Sequence, residues 1–260
     1  MTAQLKSHTE GQTLVLTLSN PDYRNALGPQ IYTAGIEALN AAESNGDIRS
    51  VVITGEGAHF SAGGQLNRLL ESRALTPEHQ AQSIEALHGW LETIATFPKP
   101  VLAAVEGAAA GAGFSLALTC DFLIAASNSV FVMAYSNVAL SPDGGGSWQL
   151  ARALPHALVS QWLMMGEKIP AEQLMKHGLV NALSEPGQAL QTALTWAQRL
   201  NERAPNALGS IKELLNAAPG QSLFAHMALE KHHFVNNLHH PNAGIGIAAF
   251  LDKHTPQYKP

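Results

Sequence analysis

Two stretches fifty positions apart carry one pattern: Val51, Glu56, Gly57, Ala58, Ala62 and Gly63 return as Val101, Glu106, Gly107, Ala108, Ala112 and Gly113. Each copy reads as a short apolar strand, then Glu-Gly, then a turn of small residues ending in Ala-Gly. Small residues at a strand end let the backbone come close to a ligand. The N-terminus of a following helix presents free N–H groups there. Two such turns can supply two converging donors, although alanine and glycine are common enough that close packing explains the pattern equally well.

Around the repeat, apolar strand-like runs alternate with longer helical patterns, which places the chain in the mixed α/β class. Leu14 to Leu18, Ser50 to Thr54, Pro100 to Val105 and Asp121 to Ala126 are the strand candidates. Ile31 to Ser44, Pro77 to Phe97 and Pro186 to Arg203 read as helices, and Asn206 to Leu251 as helix after helix. A soft boundary falls near residue 200, so residues 1–200 form the expected core and 201–260 a helical appendage. No low-complexity linker separates them, which implies that the appendage packs on something.

At 260 residues the chain can bury a substantial core. Charged residues make up only 13% and the formal charge is −5, so no basic field is available for nucleic acid or an acidic membrane. The first residues, MTAQLKSHTEGQ, contain no apolar signal core, and no apolar run approaches the roughly 18 residues of a membrane span. A cytoplasmic enzyme is the expectation. The single cysteine, Cys120, sits in an apolar run and reads as a packed thiol.

Several motifs fall short. Gly113 to Ala117 (GFSLA) lacks the last glycine of a nucleophile elbow, and Ser115 lies ten residues beyond Val105, inside a helix pattern. Gly111-Ala112-Gly113 begins a dinucleotide fingerprint that ends in Leu116 instead of glycine. The twelve histidines include two adjacent pairs but no ligand spacing, so no metal is expected. More informative is Asp143, the one charged side chain between Asp121 and Arg152, set between Pro142 and three glycines. It is either a reacting group or a cap for the helix that starts near Gly146.

Four ordered segments then carry a resemblance: AHFSAGGQL (Ala58 to Leu66), KPVLAAVEGAAAGAGFSLALTCDFLIAA (Lys99 to Ala126), FVMAYSNVALSPDGGGSWQLAR (Phe131 to Arg152) and AAFLDKHTPQY (Ala248 to Tyr258). Together with RNAL (Arg24 to Leu27), they resemble the enoyl-CoA hydratase/isomerase, or crotonase, superfamily. The resemblance implies a spiral of ββα units followed by a helical trimerisation region, assembled as trimers or dimers of trimers. It further implies acyl-CoA thioester substrates, with coenzyme A as part of the substrate and no separate cofactor. The enolate oxygen would be held by two backbone N–H groups, which the resemblance puts on Ala62 and Ala112 within the turns that contain Gly63 and Gly111.

Hydratases of the superfamily use two glutamates, and the resemblance puts those positions on Ser115 and Tyr135, neither of which does a carboxylate's work near neutral pH. The motif Leu140-Ser141-Pro142-Asp143-Gly144-Gly145 instead resembles the branch that contains 3-enoyl to 2-enoyl-CoA isomerases and the ring-epoxyphenylacetyl-CoA isomerase of phenylacetate breakdown. In that branch one acid moves a proton between carbons, which makes Asp143 the expected catalytic residue. Water recruitment by the same acid, giving a hydratase (a lyase) or a hydrolase, is the alternative. A CoA-binding subunit without turnover is a third. Arg24, Asn25 and Ala26 are expected along the nucleotide and pantetheine, Gln65 near the adenine loop, and Lys253 against a neighbouring subunit's CoA. Phe114, Tyr135 and Trp148 are expected to line the acyl pocket.

Overall fold

The computed structural model describes residues 3–259. In chain order its strands are β1 (Gln4–Glu10), β2 (Thr13–Ser19), β3 (Ser50–Gly55), β4 (Val101–Val105), β5 (Ala108–Ala110), β6 (Phe122–Ala126), β7 (Val130–Val132), β8 (Ile169–Pro170) and β9 (Ala182–Ser184). The helices are α1 (Pro29–Glu43), α2 (Leu66–Ser72), α3 (Pro77–Thr96), α4 (Ala112–Thr119), α5 (Gly146–Ala153), α6 (His156–Met165), α7 (Ala171–Lys176), α8 (Ala189–Asn201), α9 (Pro205–Ala217), α10 (Leu223–His239) and α11 (Pro241–Leu251). A six-stranded sheet runs β1-β2-β3-β4-β6-β9, and a small second sheet runs β5-β7-β8.

The large sheet is parallel except for β1, and helices cover both of its faces. Alternate residues therefore feed two different cores. Val51, Ile53, Val101, Ala103, Leu123 and Ala125 point into the main core with α1 and α3, where Trp90 and Phe60 are fully buried. Val52, Leu102, Ala104 and Ile124 face the opposite way, against the alanine stripe Ala189, Ala193 and Ala197 of α8. Two-sided burial is why these strands read as continuous apolar runs. β1, with the sequence QLKSHTE, has no such signal and is held by its ladder to β2.

The fifty-residue repeat is the register of the sheet: β3 and β4 pair in parallel, with Val51 opposite Val101 and Thr54 opposite Ala104. Beyond the Glu-Gly turns the offset shortens. The bridge that starts the next layer joins Ser61 to Ala109, forty-eight positions apart, because the first turn is two residues longer.

The expected boundary near residue 200 falls at the end of α8, and α9 begins at Pro205. α9 is pinned to the core by Lys212, whose ammonium is buried and donates to the Asp121 carboxylate (2.8 Å) and to the Ile94 carbonyl (2.9 Å). Burial raises the Asp121 carboxyl above the usual carboxylate range, with the Lys212 charge pulling the other way. Burial likewise pushes the Cys120 thiol up, so it is an inert packed group. α10 and α11 expose large apolar side chains, among them Phe224 (81%) and Phe250 (83%). No helix among the described residues is long and apolar enough to cross a membrane.

Candidate active site

The turns after β3 and β4 meet. Gly63 adopts φ +80°, and a β-carbon there would lie 2.5 Å from the Ala110 carbonyl oxygen and 3.1 Å from the Ala112 nitrogen, so only glycine lets the two turns touch. Ala112 is the first residue of α4 and follows Gly111, so its N–H falls among the donors that a helix leaves unpaired. No protein acceptor takes it among the described residues.

The partner donor is not the one expected. The Ala62 N–H is already given to the Arg24 carbonyl at 2.9 Å. The next free amide on the cleft wall is that of Gly64, which has no acceptor among the described residues and lines the same hollow as Ala112. The two-residue difference between the turns accounts for the shift. Equal spacing pairs Ala62 with Ala112, whereas the observed offset of forty-eight, from Ser61 to Ala109, brings Gly64 level with Ala112. The pair that can converge on one oxygen is therefore Gly64 and Ala112.

Asp143 lies on the loop between β7 and α5 and lines a cleft of about 940 Å³ together with both donors. Each glycine after it has a reason. Gly144 and Gly145 adopt φ +62° and +73°, and a side chain at Gly146 would strike Met133 and Ser115. The loop is tied down by the Ser115 hydroxyl, which donates to the Asp143 carbonyl at 3.0 Å. The helix cap is Gly145, without a side-chain bond, so the Asp143 carboxylate is not spent on capping. Its Oδ1 accepts from the Tyr135 phenol at 2.5 Å, and Oδ2 has no partner among the described residues. Burial first, and the Asp143 charge second, push the Tyr135 hydroxyl above the ordinary tyrosine range, so it stays a donor. Among the described residues, Asp143 is the only side-chain carboxylate on the cleft wall.

Gly111 and Tyr135 line this cleft. Others do not. Phe114 is fully buried and packs on Phe131 at 5.0 Å between ring centroids, because α4 is covered on almost every side. Trp148 is 58% exposed on the outer face of α5, with Arg152 stacked 4.8 Å from its ring, and lines a separate hollow beside Lys212. Asn25 is buried with φ +56°, and its side chain is consumed by the backbone: Nδ2 donates to the Glu56 and His59 carbonyls while Oδ1 accepts from the Asn20 N–H. It shapes the loop and has no group left for a ligand. Ala26 is buried beside it. Arg24 is exposed, Gln65 precedes α2, and Lys253 is exposed at the end of α11; none of the three lines the cleft.

Sequence reasoning missed Gly64, Tyr32, Arg68 and Ser83, all of which line the cleft. A readable signal existed for one of them: Arg68 interrupts the leucines Leu66, Leu69 and Leu70 on a short helix. No group of three or more His, Cys, Asp or Glu side chains able to hold a metal occurs among the described residues.

A family profile described as "Enoyl-CoA hydratase/isomerase" matches residues 8–260. The chain is 34% identical to 1,2-epoxyphenylacetyl-CoA isomerase of Escherichia coli (strain K12), with 97% of each chain covered. It is 33% identical to 2,3-dehydroadipyl-CoA hydratase of the same organism, with 95% of each covered. A crystal structure described as an enoyl-CoA hydratase from Polaromonas sp. JS666 superposes with a TM-score of 0.98 at 66% identity, over 98% of this chain and 100% of the other. The mixed α/β spiral expected from the motifs is the fold of this chain.

Proposed function

The chain belongs to the enoyl-CoA hydratase/isomerase family of acyl-CoA enzymes, and on that footing we propose that it is an acyl-CoA isomerase in which Asp143 carries one proton between two carbons of the thioester. The observation that carries this reading is the single carboxylate. Among the described residues Asp143 is the only acid on the cleft wall, and the two hydratase positions hold a buried serine that bonds to its backbone carbonyl and a tyrosine that bonds to its carboxylate. Those two residues fix the acid's position, and neither supplies the second carboxylate of a hydratase.

The step balances on these groups. With a 3-enoyl thioester, the free carboxylate oxygen of Asp143 takes a proton from C2. The C–H electrons pass into the thioester carbonyl, and its oxygen receives the Gly64 and Ala112 N–H groups. Asp143 then returns the proton to C4, and the double bond settles between C2 and C3. Such donors act where charge develops, in a site with little competing water. A ring acyl-CoA isomerisation uses the same acid and the same enolate. The C-terminal helices, residues 201–260, serve in this reading as an oligomerisation region that builds trimers or dimers of trimers.

The test is product analysis in D₂O with 2-enoyl, 3-enoyl and aromatic-ring acetyl thioesters. A shifted double bond with deuterium at C2 or C4 supports the reading. A 3-hydroxyacyl product makes the chain a hydratase, free CoA makes it a hydrolase, and CoA binding without turnover makes it a binding subunit.

A further inference from the structure

The cleft carries a cation that the isomerisation does not use. Arg68, on α2, lines the cleft beside Leu66, Leu69, Ile84 and Leu87, with a second arginine, Arg73, and the polar Gln80 and His88 further along the wall. Its Nη1 donates to the Ser83 hydroxyl on α3 at 3.2 Å, and its Nε is buried without a partner. No carboxylate forms an ion pair with it among the described residues. A buried guanidinium donor left unmet is unfavourable unless something arrives to accept from it.

Arg68 also has a place relative to the acid. The Tyr32 hydroxyl is almost fully buried and lines the same cleft. Burial pushes it up to about 12, while the charges of Arg68 and Asp143 act on it in opposite directions. One phenol thus sits within electrostatic reach of the reacting acid and of the guanidinium. Arg68, Tyr32, Ser83 and Asp143 line one cleft, so the cation shares the acid's hollow, with two hydroxyls beside it.

Resting on the acyl-CoA reading of this cleft, we propose that Arg68, with the hydroxyls of Tyr32 and Ser83, forms a subsite for a carboxylate at the far end of the acyl group, so that the preferred thioester is an ω-carboxyacyl-CoA. The planar fork of arginine matches a carboxylate with two parallel N–H bonds, and hydroxyls on either side complete the oxygen's coordination. The leucines cover the methylene carbons between the thioester and that end.

Calorimetric binding of saturated thioesters separates this specificity from the chemistry, because it needs no turnover. The ligands are C4 to C6 acyl-CoA molecules ending in carboxylate or in methyl, and free CoA. The wild type is expected to bind the carboxylate-ended ligand about tenfold or more tightly than its methyl-ended counterpart. Arg68→Met should erase that preference and leave free CoA and the methyl-ended ligand as before, while Arg68→Lys should keep part of it. Equal affinities in the wild type overturn the proposal, as does a preference that survives Arg68→Met. Loss of free CoA binding in Arg68→Met overturns it too and makes Arg68 a phosphate clamp. If no thioester binds, the acyl-CoA reading falls and the subsite with it. If the carboxylate preference holds but no double bond moves, the subsite stands and only the isomerase reaction fails.

Discussion

The Tyr135 phenol donates to the Asp143 carboxylate at 2.5 Å, and this bond holds the acid with one oxygen engaged and the other free. Removing the donor should leave the acid in place but less well aimed. Tyr135→Phe is expected to lower kcat roughly tenfold with little change in KM, measured by steady-state kinetics. Because the phenol's ionisation is pushed above its ordinary range, the wild-type rate should show no alkaline loss from Tyr135 up to about pH 10.

Asp143→Asn keeps the shape of the acid and removes its basicity. Isomerisation should fall by about 10²- to 10⁴-fold or more, while CoA affinity stays unchanged by calorimetry. A mutant that keeps most of its activity would place the proton carrier elsewhere.

Ala112→Pro deletes one oxyanion donor at a position where the backbone tolerates proline, the first turn of α4. Turnover should drop by about 10²- to 10³-fold with Tm shifted by only a few degrees. Ala62→Ser should be mild, since the Ala62 amide serves the Arg24 carbonyl and not the substrate.

Lys212→Met strips the partner from a half-buried carboxylate. It should destabilise the fold by about 3–5 kcal/mol near neutral pH, read by denaturant unfolding. The sign with pH follows from Asp121, whose folded-state carboxyl is already raised by burial and rises further without Lys212. A raised acid contributes its stability below its unfolded range and loses it as pH climbs through the folded value. The variant's deficit should therefore shrink on acidification through the raised carboxyl's range and grow as the pH climbs.

The apolar faces of α10 and α11 call for a partner copy, so light scattering at micromolar concentration should return a trimer or a hexamer. Phe250→Glu puts a charge on the most exposed ring of α11 and should shift the distribution towards monomer.

What could be read in the sequence follows from how each residue is used. Strands β2, β3, β4 and β6 were legible because both sheet faces are covered, which writes unbroken apolar runs. β1 was invisible because it is an exposed edge held by backbone bonds. Asp143 stood out as the one charge in its stretch, and Ala112 as the end of a repeat. Gly64 was missed because a turn two residues longer changes which amides stand level, and composition does not register that. Phe114 and Trp148 went astray for a different reason. Bulk says that a side chain needs cover, but it does not say whether the cover comes from the core, from an arginine stacked one turn away, or from a substrate. The sequence marks Arg68 only by its place among Leu66, Leu69 and Leu70, because its partner Ser83 comes from a different helix, α3.

The pairing of Val51 with Val101 has a last implication, for how such a protein can be altered. The oxyanion donors are positioned by a sheet register and by a bridge, and neither depends on how much chain runs between them. Helices α2 and α3, which carry Arg68 and Ser83, lie wholly inside that intervening stretch. The stretch around α2, ahead of the core-packed α3, can therefore be lengthened, shortened or exchanged while the two amides and the acid keep their mutual geometry.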